Sequence, residues 1–386
     1  MKGRKLLMIP GPIEFEPAVM RAMGAPTTSH VAPAFIESFG RSLEMMRQVW
    51  MAPSGQPFII AGTGTLAMDV AGANLTEPGD RVLVVSTGYF GERYADLLKR
   101  YGAEVSVLRA PAGDTVDPGR IEDVLKGGGY KLMTFTHVDT STAVRVDPEP
   151  IGRLGRKYGV LTILDGVCSV AGERILQEEW GIDIALTASQ KAIGVPPGLA
   201  LLVASARAME AWKKRKTPVA NYYADWANWL PIMEAYEQRR PSYFGTPAVN
   251  LVAALEVSLG MVLKEGMDAR FIRHERIAGA FRSALKAMGL GMIPNGEALA
   301  ANTLSAPRYP AGVDAPSFLK AMSATDVIIA GGLLPDLKNE YFRVGHMGSV
   351  NAGDLAATVT AIETALTKCG HKYNRGSGVA AAMQAL

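Results

Sequence analysis

Between about residues 57 and 204, short β-rich apolar runs alternate with segments of helix length, and that alternation leaves few folds open. The apolar runs are Phe58-Ile59-Ile60 and residues 82–85, 105–108, 132–137, 160–164, 184–186 and 199–203. Many are apolar at consecutive positions, so both strand faces must be covered, as when helices lie on each side of a mostly parallel sheet. The intervening residues 93–101, 118–126 and 148–158 carry helical periodicity. Pro118 and Pro148 suit first helical positions, where no backbone N–H is needed. The pattern predicts an α/β fold with a mostly parallel seven-stranded sheet.

The character changes from about 210 to 247. Tyr222, Tyr223, Trp226, Trp229, Tyr236, Tyr243 and Phe244 crowd together among prolines at 218, 231, 241 and 247. This reads as an irregular connection. A long amphipathic helix is expected over about 249–288, with a break near Gly266. Short strands near 303–306, 327–330 and 341–344 and helices over 316–321 and 352–367 then predict a smaller C-terminal α+β domain. The expected division is an N-terminal segment (1–20), a large domain (21–250) and a small C-terminal domain (251–386). The tail after Tyr373 has a composition that ordinarily stays disordered, yet it is expected to be packed on another surface, such as a second subunit.

Charge and cysteine usage exclude several classes. Lysine and arginine total 40 against 37 acids, a net of +3, and hydrophobic residues make up 48%. Such a near-cancelling balance is no nucleic-acid footprint, and Lys213-Lys214-Arg215-Lys216 reads as a solvated helix end. The two cysteines, Cys168 and Cys369, do not make a disulfide framework. The five histidines lack the i, i+4 pairing of a metal site, so no metal is expected. Residues 6–9 are too short an apolar run for a signal peptide, and nothing reaches transmembrane length. A cytoplasmic protein, with no membrane partner, is the default expectation.

Six stretches carry chemistry. Lys191 lies between Thr187-Ala188-Ser189-Gln190 and the turn Gly194-Val195-Pro196-Pro197-Gly198. An amine held there at a strand end can condense with a carbonyl, as the Schiff-base lysine of a pyridoxal phosphate (PLP) enzyme does. Ala61-Gly62-Thr63-Gly64-Thr65-Leu66 follows a strand and opens a helix, where backbone N–H groups and two hydroxyls make a phosphate cradle. Asp165 ends the apolar run Ile163-Leu164, facing the crevice where ligands of open α/β sheets bind. There it can pair with a protonated pyridine nitrogen or cap a turn. Phe90, in Thr87-Gly88-Tyr89-Phe90, offers a ring face at the sheet rim, or a core side chain. Residues 136–142 end a strand in a cluster of hydroxyls that suits a turn or a ring oxygen. Finally, Arg343 in Tyr341-Phe342-Arg343-Val344 can clamp a carboxylate through two parallel hydrogen bonds, or sit in a surface ion pair.

In this order the pieces resemble the class V PLP-dependent aminotransferases, most nearly the alanine–glyoxylate/serine–pyruvate family. The likeness runs from Ile9-Pro10-Gly11-Pro12 to Arg343-Val344-Gly345-His346-Met347-Gly348. It is most specific in residues 136–144, 185–198 and 243–247. The resemblance implies fold type I and PLP bound to Lys191, with Asp165 on the ring nitrogen. Phe90, where many relatives have tryptophan, would stack on one ring face and Val167 on the other. Thr140 would bond the ring hydroxyl. Thr63, Gly64, Thr65 and Gln190 would hold the phosphate, with Tyr243 and Thr246 from the neighbouring subunit of a homodimer. Arg343 would bind the amino acid's carboxylate, with Gly11 backing the substrate and the N-terminal segment reaching the active site or the partner subunit. The implied reaction is ping-pong transfer of an amino group from alanine or serine to glyoxylate or pyruvate.

Three rivals stand beside it. A cysteine desulfurase needs a mobile nucleophilic cysteine, and neither Cys168 nor Cys369 lies in a loop suited to that. A nicotinamide-dependent dehydrogenase could use Gly62-x-Gly64-x-x-Ala67. That pattern wants an acid at the end of the next strand, where Ser86-Thr87-Gly88 stands. A non-catalytic scaffold would not need Lys191, Asp165 and Arg343 together.

Overall fold

The computed structural model describes residues 5–386. Its centre is a seven-stranded sheet in the spatial order Gln56–Ala61, Leu199–Ala204, Ile184–Ala188, Leu161–Asp165, Tyr130–Thr136, Arg81–Ser86, Glu104–Arg109. All neighbouring pairs are parallel except those of Leu199–Ala204, which runs against both neighbours. The seven apolar runs are thus the seven strands. Every residue of Leu161–Asp165, Ile184–Ala188 and Leu199–Ala204 is buried. Such two-sided burial explains why these runs show no polar alternation. The edge strand Glu104–Arg109 is only half-buried, and its ends are charged.

Local signals place the helices. Pro118 and Pro148 open Pro118–Lys126 and Pro148–Tyr158, and Asp117 and Asp147 cap them by accepting backbone N–H groups. Gly266, at φ +87°, divides the long apolar pattern into Val249–Glu265 and Met267–Ala287. That backbone angle suits glycine, so the break falls where expected.

The aromatic connection holds one correction. Trp226–Glu237 is a helix, although Pro231 lies inside it. Trp226, Trp229, Met233 and Tyr236 recur at helical spacing and are all buried, with Trp226 stacked on Phe58 of the sheet. Burial of that stripe outweighs the proline's lost N–H.

Two apolar cores result. The larger surrounds the sheet and takes in the buried face of Val249–Glu265. The smaller gathers Met267–Ala287, Ala315–Ser323, Ala352–Lys368 and Phe342–Gly345. The tail packs on its own chain, as helix Ser377–Ala385. Glu363 accepts the N–H groups of Gly376 and Gly378, and Ala382 is buried in the smaller core. At the other end, Leu6–Leu7 pairs in parallel with Val327–Ile328. This pairing sends Pro10 and Gly11 back toward the sheet. No helix among the described residues is long and apolar enough to cross a membrane.

Candidate active site

The C-terminal ends of Leu161–Asp165, Tyr130–Thr136 and Ile184–Ala188 are neighbours in register, with Thr136 opposite Asp165 and Asp165 opposite Leu186. A cavity of about 180 Å³ opens there, lined by Thr63, Gly64, Thr65, Met68, Phe90, Arg93, Thr136, Val138, Thr140, Asp165, Val167, Gln190 and Lys191. Nine of the thirteen expected site residues therefore meet in one pocket. It lies outside the carboxyl ends of parallel strands, where ligands of open α/β sheets bind.

Each position has a local cause. Lys191 sits on the connection between Ile184–Ala188 and the reversed strand Leu199–Ala204. Ser189 ties that connection at both flanks: its hydroxyl donates to the Pro196 carbonyl (2.8 Å) and accepts from the Leu199 N–H (3.1 Å). Arg270 donates to the Ala192 carbonyl at 2.6 Å, and the Ser258 hydroxyl donates to the Ile193 carbonyl. The Lys191 ammonium donates to the Pro10 carbonyl. Gly11, at φ +115°, faces it so closely that a Cβ there would lie 2.6 Å from Lys191 Nζ. Only glycine fits between the lysine and the N-terminal segment.

Thr63 stands at the N-cap position of helix Gly64–Leu75 without a side-chain hydrogen bond to it, and that N-terminus faces the pocket. Free N–H groups and the helix dipole favour an anion there. A Cβ on Gly64 would meet Val167 at 2.9 Å, so glycine also lets the helix approach the Asp165 turn. Phe90 is held by Asp139, a residue the sequence did not single out. Asp139 is fully buried and accepts from the Phe90 N–H (3.1 Å), the Ser141 N–H (2.8 Å) and the Ser141 hydroxyl (2.5 Å). It caps the aromatic helix from a distant strand end, a contact with no local signature.

Asp165 is 2% exposed and accepts from the Val167 N–H at 3.1 Å. Burial pushes its carboxyl up to about 6, with nearby Asp139 adding to the rise; the Val167 N–H, Lys191 and Arg93 oppose it. A buried carboxylate in that state is stabilised by a cation beside it. The Thr136 hydroxyl and the Gln190 side-chain oxygen are buried without a hydrogen-bond partner. Unpaired polar atoms around a cavity fit a polar ligand. An aromatic face, an unpaired carboxylate and an anion-favouring helix end match the ring, ring nitrogen and phosphate of PLP.

The other four expected residues, Gly11, Arg343, Tyr243 and Thr246, lie outside the pocket lining, and Arg343 meets it at Thr140. The Thr140 hydroxyl is 2.7 Å from Cys168 Sγ, and the Thr140 carbonyl accepts from Arg343 Nη1 at 3.2 Å. Arg343 also donates to the Gly331 carbonyl (2.8 Å), and no carboxylate pairs with it among the described residues. Burial pulls its guanidinium below the ordinary value. Tyr341, two residues earlier, donates to the Ser141 carbonyl, pinning the Arg343 strand to the Thr140 turn. Tyr243 is 63% exposed beside His30, and Thr246 lines a separate open surface hollow with Thr27–His30. Neither reaches this chain's own pocket lining. Cys168 is buried, and Cys369 follows helix Ala352–Lys368 against the smaller core. Arg93, Met68 and Val138 line the pocket without having been singled out as site residues. Arg93 stands one turn after Phe90, and that i, i+3 spacing was the available signal.

Comparison with known proteins agrees with this geometry. The family model for class V aminotransferases matches residues 20–305. Alanine–glyoxylate aminotransferase 1 of Saccharomyces cerevisiae is 38% identical, over 90% of this chain and 93% of its own length. L-aspartate–glyoxylate aminotransferase of Paracoccus denitrificans is 32% identical, over 100% of this chain and 96% of its own. The crystal structure of ureidoglycine–glyoxylate aminotransferase from Bacillus subtilis superimposes with a TM-score of 0.93, at 27% identity, covering 100% of this chain and 98% of that one. With the pocket, these matches leave one conclusion: the chain belongs to the class V aminotransferases, enzymes that work with PLP.

Proposed function

We propose that this enzyme transfers the amino group of alanine or serine to glyoxylate or pyruvate by ping-pong exchange. One observation carries the reading. A pocket that joins a half-buried lysine to a buried carboxylate, with unpaired polar atoms in its walls, stands beside a guanidinium that no carboxylate neutralises. The names of the relatives, with alanine or aspartate as donor and glyoxylate as acceptor, support the acceptor class.

When bound, PLP supplies an aldehyde that condenses with amines and a ring that delocalises electron density released at the substrate's Cα. The chain's residues do the rest. Asp165 holds the ring nitrogen in its protonated form, and Phe90 and Val167 fix the ring plane. Thr63, Gly64, Thr65 and Gln190 hold the phosphate, and Thr140 orients the ring hydroxyl. Arg343 binds the amino acid's carboxylate, with Gly11 behind the substrate. Lys191 anchors the cofactor at rest. Once freed by the substrate amine, Lys191 Nζ would take the Cα proton and deliver it across the nitrogen to the carbon that the cofactor's aldehyde supplies. Such positioned proton transfer contributes about 10²–10⁴-fold. Tyr243 and Thr246, exposed and remote from their own pocket, would complete the phosphate site of the other subunit in a homodimer.

The visible spectrum tests this. Purified protein is expected to show a yellow band that alanine or serine bleaches and glyoxylate or pyruvate restores, and that is absent in Lys191→Ala. A colourless protein that PLP cannot reconstitute would sink the proposal. Bleaching by aspartate or glutamate but not by alanine or serine would overturn the donor assignment alone.

A further inference from the structure

We propose that Arg93 supplies the positive charge of the phosphate cup, pairing its guanidinium with the cofactor phosphate that Thr63, Gly64, Thr65 and Gln190 surround. The inference rests on the reading of residues 63–65 as the phosphate end of the pocket. Those donors are all neutral, whereas a phosphate monoester carries about −1.5 to −2 charge at pH 7. The N-terminus of helix Gly64–Leu75 contributes only about half a charge. Lys191, the other cation in the lining, is committed to the aldehyde end.

Arg93 is placed to make up the difference. It lines the cavity, and its Nη2 donates to Thr65 Oγ1 at 3.0 Å. No carboxylate pairs with it among the described residues. Its field reaches Asp165, helping to hold that carboxyl down against burial. The residue is exposed on helix Tyr89–Arg100, so its stem is free to bring two parallel N–H groups onto phosphate oxygens, the geometry arginine suits best. The substrate end is marked instead by Arg343, bonded to Thr140. Contact with Thr65 therefore assigns Arg93 to the phosphate and leaves the substrate carboxylate to Arg343.

The test separates charge from shape. Full-length wild type, Arg93→Ala and Arg93→Lys, freed of cofactor with hydroxylamine and dialysed, are titrated with PLP and with unphosphorylated pyridoxal by visible absorbance. Arg93→Ala is expected to lose about 10- to 100-fold in PLP affinity, the worth of a charge-assisted hydrogen bond. Its pyridoxal affinity should stay within about threefold, and Arg93→Lys should recover part of the loss. Inorganic phosphate should compete with PLP less effectively in Arg93→Ala. Equal losses for PLP and pyridoxal would overturn the proposal in favour of positioning through Thr65. Unchanged PLP affinity with a raised KM for acidic amino acids would overturn it in favour of a substrate contact. A wild type that binds PLP no better than pyridoxal would defeat the phosphate-end reading and the proposal together; the other failures leave that reading standing.

Discussion

Asp165 shows how much one strand position decides. Its carboxyl is pushed up to about 6 because burial penalises the charged form, whereas the unfolded chain holds it near about 3.9. The folded state thus binds this proton more tightly. The associated stability is fully present below about pH 4 and is lost as pH rises through about 6. The two values give about 3 kcal/mol for the whole step. In urea melts of cofactor-free protein, Asp165→Asn is expected to remove this decline relative to wild type; identical pH slopes would disprove it. With PLP bound, a protonated ring nitrogen stabilises the ionised carboxylate and the wild-type slope should shrink. The same variant, loaded with PLP, should lose about 10²–10³ in kcat, as when a preorganised electrostatic partner is removed. Asp165 and Lys191 were readable from sequence because each is an odd residue at the end of an apolar run. The Pro10 carbonyl that receives Lys191 was not, since that contact depends on how a distant segment folds back.

At the scale of elements, the strands were legible for a simple reason: two-sided burial writes an apolar run with little polar interruption. Helix Trp226–Glu237 was not, because its proline spoke louder than its buried stripe. The cap on helix Tyr89–Arg100 was hidden more deeply. Capping residues ordinarily sit beside the helix they serve. Here Asp139 reaches across from the end of another strand, and Gly88, the local cap position, contributes no side chain. Asp139→Ala should leave the Phe90 and Ser141 N–H groups unpaired, costing about 2–4 kcal/mol by the usual price of buried unmet donors. Chemical denaturation would measure the loss. The shift of Phe90 should also weaken PLP and pyridoxal alike, the reverse of the selective loss expected at Arg93. A destabilisation below about 0.5 kcal/mol would show that the carboxylate is not holding the helix.

For the whole molecule, the exposed Tyr243 and Thr246 mark a surface that its own pocket does not use. If they serve the neighbouring subunit, two inactive variants should complement. Lys191→Ala chains keep Tyr243 and Thr246, and a Tyr243→Ala/Thr246→Ala chain keeps its lysine. Unfolded together and refolded, the mixture should regain part of the wild-type activity, while each refolded alone should not. Absence of recovery, with mixed dimers verified by differential tagging, would show that the sites are not shared. Binding of PLP should also stabilise the folded protein, by about 2.7 kcal/mol when free cofactor is a hundredfold above its Kd. A melting temperature that rises with PLP but not with pyridoxal at the same concentration would locate that gain at the phosphate.

The reversed strand Leu199–Ala204 has a consequence for the lysine. Because the chain returns antiparallel after residues 189–198, Lys191 sits on a connection tied at both flanks to that ladder. Its backbone has nowhere to travel, so all movement between anchor and proton carrier is confined to four methylenes. A short arm on a fixed pivot behaves as an amine of very high local concentration, and effective molarities for well-oriented groups reach about 10⁵–10⁸ M. Strand direction, a property of topology, thereby sets how hard this one side chain can work.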